Sequence, residues 1–222
     1  MNTGLRVYKV LCLLLGALVV CSCATTPELT SLAGLEQAIN LLSPKIILIK
    51  DFPVLAQPNR YTCGITTVAV VSSFFNESNL SACGLIEKHH VDTTHGASVA
   101  ELQGWLRSEL PSHNTKYHKN ESNSRMLGEI HECLAAGRPV VVVFGSPSPY
   151  AGGLYDFHFS TVYGMDLIKK TITISNAYGY MEEIPLVDFL NRMSFSEIRK
   201  YPPALQEVIR RGIDKNQIVI ME

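Results

Sequence analysis

The segment that most constrains this chain is 158–179, HFSTVYGMDLIKKTITISNAYG. Two runs with alternating apolar residues flank a turn near Asp166 to Lys169. Alternation of period two marks a strand with one buried face, and two such runs about a short turn read as an antiparallel hairpin. A hairpin turning about Leu167 sets His158 directly opposite Asn176. Opposed residues project to the same face, with Cβ atoms about 4.5–5.5 Å apart. A register shift of two residues leaves them diagonal on one face, whereas a slip of one separates them. The hairpin therefore places an imidazole beside a carboxamide before any tertiary packing is invoked.

The remaining pattern supplies helices to cover such a sheet. IILIKDFPVLAQ (46–57) reads as a strand. CGITTVAVVSSFF (63–75) is apolar all round, as a buried helix is, although its β-branched residues favour a strand by propensity. A short amphipathic helix follows the polar turn at NESNL, and Ser98 with Glu101 forms a capping box. Val99, Leu102, Leu106 and Leu110 line one face of the helix so opened, with Trp105 as a core residue. SNSRMLGEIHECLAAGRP is a further helix, closed by Gly137 and Pro139. RPVVVVF is a fully buried strand, and 145–157 is a Gly/Pro/Ser-rich loop. EEIPLVDFLNRM gives a strand end and a helix, PPALQEVIRRG a helix and QIVIM a closing strand. Helices first and an antiparallel sheet after them indicate an α+β fold.

The N-terminus carries Arg6 and Lys9 ahead of the apolar run Val10–Val20, followed by VCSC. Eleven apolar residues fall short of the roughly 20 that span a membrane. The pattern is that of a secretory signal peptide. A small residue, Ser22, stands before Cys23, as in bacterial lipoprotein signals, so Cys23 is the expected lipid attachment site. The expected organisation is a signal peptide over 1–22, a tether over 23–45, a domain over 46–200, and a C-terminal helix and strand packed on it over 201–222. Such a chain sits in the bacterial envelope, anchored to a membrane through its N-terminal lipid. The other cysteines are Cys63, Cys83 and Cys133. An odd thiol in an oxidising compartment points to a reactive group. The expectation is a Cys83–Cys133 disulfide with Cys63 free. With 19 basic and 20 acidic residues and no basic stripe, nucleic acid is excluded as a partner. Oligomeric state is not legible in the sequence.

Cys63 opens the buried helix, and Gln57 stands six positions ahead of it. Backbone N–H groups at a helix start, and a neighbouring imidazolium, lower a thiol pKa from about 8.5 to roughly 3.5–7.5. The expectation is a Cys63–His158–Asn176 triad, with Asn176 accepting the proton on His158 Nδ1. Gln57 Nε2 and the Cys63 N–H are the expected oxyanion donors, each worth about 2.7–4 kcal/mol of barrier. Taken alone, Cys63 is as well read as a structural thiol, His158 as a hydrogen-bonded strand residue, Asn176 as a turn former and Gln57 as a loop residue. HHVDTTHG (89–96) lacks metal-ligand spacing and reads as a solvated loop. No metal or organic cofactor is implied.

FPVLAQPNRYTCG, GASVAELQGWLRSEL, LAAGRPVVVV and HFSTVYGMDLIKKTITISNAYG occur in the order found in the bacteriocin-processing, double-glycine-leader branch of the papain-like cysteine peptidases, which the chain resembles over about Ile46–Met193. The resemblance implies a papain-like fold, a peptide or protein substrate, and roles for Gln57, Cys63, His158 and Asn176. Two departures stand out. The family usually has Asp-Pro where this chain has Asn176-Ala177. Members that cut leader peptides are fused to an exporter with an ATP-binding domain, and no G-x-x-x-x-G-K-[ST] loop occurs here. The leader substrate is therefore not carried over. Other readings stay open: an inactive peptidase-like binding lipoprotein, a cell-wall peptide amidase, and an acyl or peptidyl transferase using the same thioester chemistry.

Overall fold

The computed structural model describes residues 32–222. Cys23 and the expected signal peptide lie outside the described residues. The helices are α1 (Leu32–Leu41), α2 (Cys63–Phe75), α3 (Ala82–Lys88), α4 (Val99–Glu109), α5 (Asn123–Ala135), α6 (Leu186–Met193) and α7 (Pro203–Arg210). The strands are β1 (Ile46–Leu48), β2 (Thr115–His118), β3 (Val140–Pro147), β4 (Tyr155–Asp166), β5 (Thr171–Asn176), β6 (Tyr180–Pro185) and β7 (Gln217–Met221). They form one antiparallel sheet in the order β2-β7-β3-β4-β5-β6, with β1 pairing beside the far end of β4. Among the described residues no helix is long and apolar enough to cross a membrane.

Both sheet faces are buried, which is why β3 reads as an unbroken Val run. Val140, Val142, Phe144, Val162, Ile172, Ile174, Ile218 and Ile220 point to one core, covered by α1, α5 and α6. Val141, Val143, Phe159, Val219 and Met221 point to the other, covered by α2, α3 and α4. The apolar run 63–75 is a helix despite its β-branched residues. Its buried positions from Cys63 to Ser73 leave it no solvent face, so packing overrides propensity. The capping box at Ser98 and Glu101 forms as the sequence indicates.

Several expectations are corrected. The strand over 46–57 is only three residues long and gives way to an extended loop. Part of the expected tether is the helix α1, whose Leu35 and Ile39 enter the first core. The loop over 145–157 shrinks to residues 148–154, because β3 and β4 pair as far as Pro147 and Tyr155. The C-terminal strand does not merely pack on the domain; β7 lies inside the sheet, between β2 and β3. The Cys83–Cys133 disulfide does not form, and both thiols are free. Cys83 is exposed on α3, a helix of the second core, whereas Cys133 is buried in the first, so the sheet stands between them. Cys63 is free as well.

Candidate active site

The hairpin delivers His158 and Asn176 to one face, but through a register that alternation alone does not anticipate. Next to the turn, Asp166 opposes Thr171 and Gly164 opposes Thr173. The register then shifts at Tyr163, so that Val162 opposes Ile174 and Ser160 opposes Asn176. Had the first register run on unbroken, Thr161 would oppose Asn176 and His158 would face the other way. The bulge restores the parity. Its extra residue, Tyr163, leaves the main alternation to stack on Phe52 at 4.8 Å, and its carbonyl accepts from Ile49 N at 2.9 Å. His158 thus sits diagonal to Asn176, and its Nε2 donates to Asn176 Oδ1 at 2.9 Å. The expected Nδ1 contact is corrected to Nε2, which leaves Nδ1 as the basic nitrogen.

Asn176 is completely buried and fully engaged. Its Oδ1 also accepts from Tyr178 N at 3.0 Å. Its Nδ2 donates to Glu182 Oε2 at 2.9 Å, Ser146 Oγ at 3.3 Å and Tyr180 Oη at 3.4 Å. Glu182 Oε1 accepts from Arg192 Nη1 at 2.8 Å, and Asp188 Oδ2 accepts from Arg192 Nη2 at 2.9 Å. Burial opposes the charge on Arg192, yet its hydrogen bond to Glu182 and the nearby Asp188 hold its pKa above the ordinary value. The Tyr178 ring lies over the imidazole at 4.0 Å and 22°.

Cys63 begins α2. Three other helices have serine caps, Ser81, Ser98 and Ser122, whereas Thr62 makes no side-chain cap. The Thr62 hydroxyl instead donates to Asn59 O at 3.0 Å. The first N–H groups of α2 are therefore left to whatever approaches that end of the helix. Gly64 follows because a Cβ there would come within 2.9 Å of Ala97 Cβ. Gln57 lies on the loop before, tied by its N–H to Ala177 O at 2.7 Å, while Ala56 bridges to Tyr178. Gly179, at φ +97°, permits this approach, since a Cβ there would stand 2.6 Å from that of Ala56. The Gln57 side chain is 7% exposed, and neither Nε2 nor Oε1 has a partner among the described residues. A buried, unpaired amide is costly and calls for a functional explanation.

Cys63 and His158 meet at two adjoining clefts. One, of about 400 Å³, is lined by both residues together with Arg60, Asp156, Tyr178 and Leu205. The other, of about 370 Å³, adds the apolar walls of Val99, Val143, Phe159 and Ile213. Arg60 pairs with Asp156 at 3.4 Å across the rim of the first.

The electrostatics correct the expected ion pair. Burial pushes the Cys63 thiol up, outweighing the backbone amides of Phe159, Gly64 and Cys63 itself. Burial likewise lowers His158 to about 4, against its hydrogen bond to Asn176 and the charge of Asp156. At neutral pH the resting pair is a thiol and a neutral imidazole, and no Cys63–His158 hydrogen bond forms among the described residues. Excluding water penalises both charges more than the backbone donors return.

Of the expected set, His158 and Asn176 are in contact, Cys63 shares the clefts with His158, and Gln57 is fastened to the turn after Asn176. Sequence reading missed Tyr178, Glu182 and Arg192. Alternation along β6 does put Glu182 on the face of Asn176, once Asn176 is paired with Tyr180.

A family model described as Peptidase_C39 like family matches residues 49–202. The chain belongs to that family. This C39-like chain has a cysteine at the N-terminus of a buried helix, packed on an antiparallel sheet that carries histidine and asparagine. No curated protein matches it. Solved structures with similar folds include the peptidase domain of Streptococcus ComA, described as a bi-functional ABC transporter involved in quorum sensing. It is 13% identical at a TM-score of 0.48, over 77% of this chain and 97% of that one. A putative C39-like peptidase from Bacillus anthracis is 12% identical at a TM-score of 0.49, over 81% and 98%. Xylellain, a cysteine protease from Xylella fastidiosa, is 12% identical at a TM-score of 0.49, over 83% and 88%.

Proposed function

We propose that this C39-like chain is a thiol peptidase acting on peptide bonds. The observation that carries the reading is a buried imidazole, tethered at Nε2 by Asn176, on the wall of the clefts that also hold Cys63. The Nε2–H tautomer leaves Nδ1 free to take a proton. Because the resting thiol is neutral, the proton moves from Cys63 Sγ to His158 Nδ1 as the sulfur attacks the carbonyl carbon. His158 returns that proton to the leaving amine, and water then hydrolyses the thioester. The tetrahedral oxyanion is met by the uncapped start of α2, at the Cys63 N–H, and by the unpaired Nε2 of Gln57. The apolar second cleft receives an apolar substrate side chain beside the scissile bond. The signal-like segment over 1–22, with Cys23 after it, supports a lipid anchor on the outer face of a membrane as part of this reading.

The test is digestion of an unbiased peptide library by the full chain and by Cys63→Ser, with products read by mass spectrometry. New peptide termini that require Cys63, enriched for one apolar position beside the cut, support the reading. Identical digests from the two forms overturn it.

A further inference from the structure

We infer that Glu182 is a positioning residue for His158, acting through the amide of Asn176, and that it is the reason an amide rather than a carboxylate stands at position 176. This rests on the reading of His158 and Asn176 as working groups. Asn176 has one donor end and one acceptor end, and only one orientation serves the imidazole. Oδ1 must face Nε2–H if Nδ1 is to remain the base. Glu182 Oε2, 2.9 Å from Nδ2, is an acceptor and nothing else when ionised, so it fixes the donor end on its own side. Arg192 is only 9% exposed and holds Glu182 at 2.8 Å, with Asp188 completing the pair of carboxylates about the guanidinium. Ser146 Oγ and Tyr180 Oη can each donate or accept, so neither selects an orientation, whereas the Tyr178 N–H, 3.0 Å from Oδ1, favours the same orientation from the acceptor end. An aspartate at this position would set two carboxylates in contact in a buried site, where like charges cannot both be ionised without large cost. The acceptor is thus matched to an amide, and the amide to the tautomer.

The experiment combines Asn176→Asp, Glu182→Gln, their double variant and Glu182→Met in the full chain, with folding checked by circular dichroism. Imidazole ¹⁵N shifts at neutral pH report the tautomer of His158. Wild type is expected as the Nε2–H tautomer, and Glu182→Met as gaining a minor Nδ1–H population, since the Tyr178 N–H still favours Oδ1 on the imidazole side. Asn176→Asp is expected to lose turnover, and adding Glu182→Gln to restore it by about tenfold. The introduced amide can donate to the introduced carboxylate, which Glu182 cannot do, and contacting groups couple on that scale. An unchanged tautomer in Glu182→Met, or an Asn176→Asp defect equal in both backgrounds, overturns the inference. If Glu182→Met does not fold, the isosteric double variant decides alone. If wild type cleaves no peptide, the peptidase reading falls, while the imidazole signals still decide this one.

Discussion

At the residue scale the site is governed by burial rather than by charge pairing. A helix start and a nearby imidazole are ordinarily read as a recipe for thiolate. Here Cys63 is 6% exposed and His158 is 2% exposed, and each is driven to its neutral form. With iodoacetamide at neutral pH, the exposed Cys83 is therefore expected to be labelled before Cys63, as peptide mapping would show. A Cys63 that outpaces Cys83 would mean that the sulfur is already anionic at rest. The identities of the candidate residues were legible in the sequence, because a Gln, a Cys-Gly pair and a His-strand-turn-strand-Asn block are local patterns. Their protonation was not, because burial depends on Tyr178 stacking on the ring and on Phe157 and Phe159 lining the cleft beside it. The Glu182–Arg192 pair was hidden for a similar reason. Arg192 lies on α6, and no periodicity in β6 reveals which cation a helix will lower onto it.

At the element scale, the decisive feature is the bulge in β4. In the structure Val162 and Met165 share a core although they are three residues apart, which the bulge between them allows and a plain ladder would not. Tyr163 is kept out of the ladder by Phe52, with Val70 completing the small cluster. Tyr163→Ala should lower stability by about 3 kcal/mol, in the range of large aromatic truncations. It should also reduce turnover by more than its effect on stability explains, because the parity of β4 is set there. The comparison is Leu85→Ala on α3, a similarly buried truncation on a helix that carries no candidate site residue. Urea unfolding and turnover, measured on both, separate the two effects. Equal losses of activity at equal losses of stability would show that the bulge is merely well packed.

At the scale of the molecule, the buried imidazole makes folding acid-sensitive. His158 is lowered from 6.5 to about 4 in the folded state. Above the unfolded value both states are neutral there, and the group contributes no pH dependence. Between pH 6.5 and 4 the unfolded chain takes up a proton that the folded chain refuses, so stability falls as pH drops. The loss attributable to this one group approaches roughly 3 kcal/mol by pH 4. Urea unfolding across that window should show a shallower decline for His158→Gln, with the carboxylate contribution common to both cancelling in the difference. Parallel declines would place the imidazole in contact with solvent. The α+β class and most helices were readable from periodicity, but β2 and the interior place of β7 were not. Both are long-range pairings: Thr115 meets Met221, and Val141 meets Val219.

The position of β7 has a consequence for how the protein comes into being. The segment that forms it also supplies Ile213, Asp214 and Gln217 to the wall of one cleft. A ribosome must release residues 213–221 before β3 gains its neighbour and that wall is raised. On the proposed function, a nascent copy therefore carries Cys63 without a finished groove, and cutting would begin only when synthesis of that stretch is over.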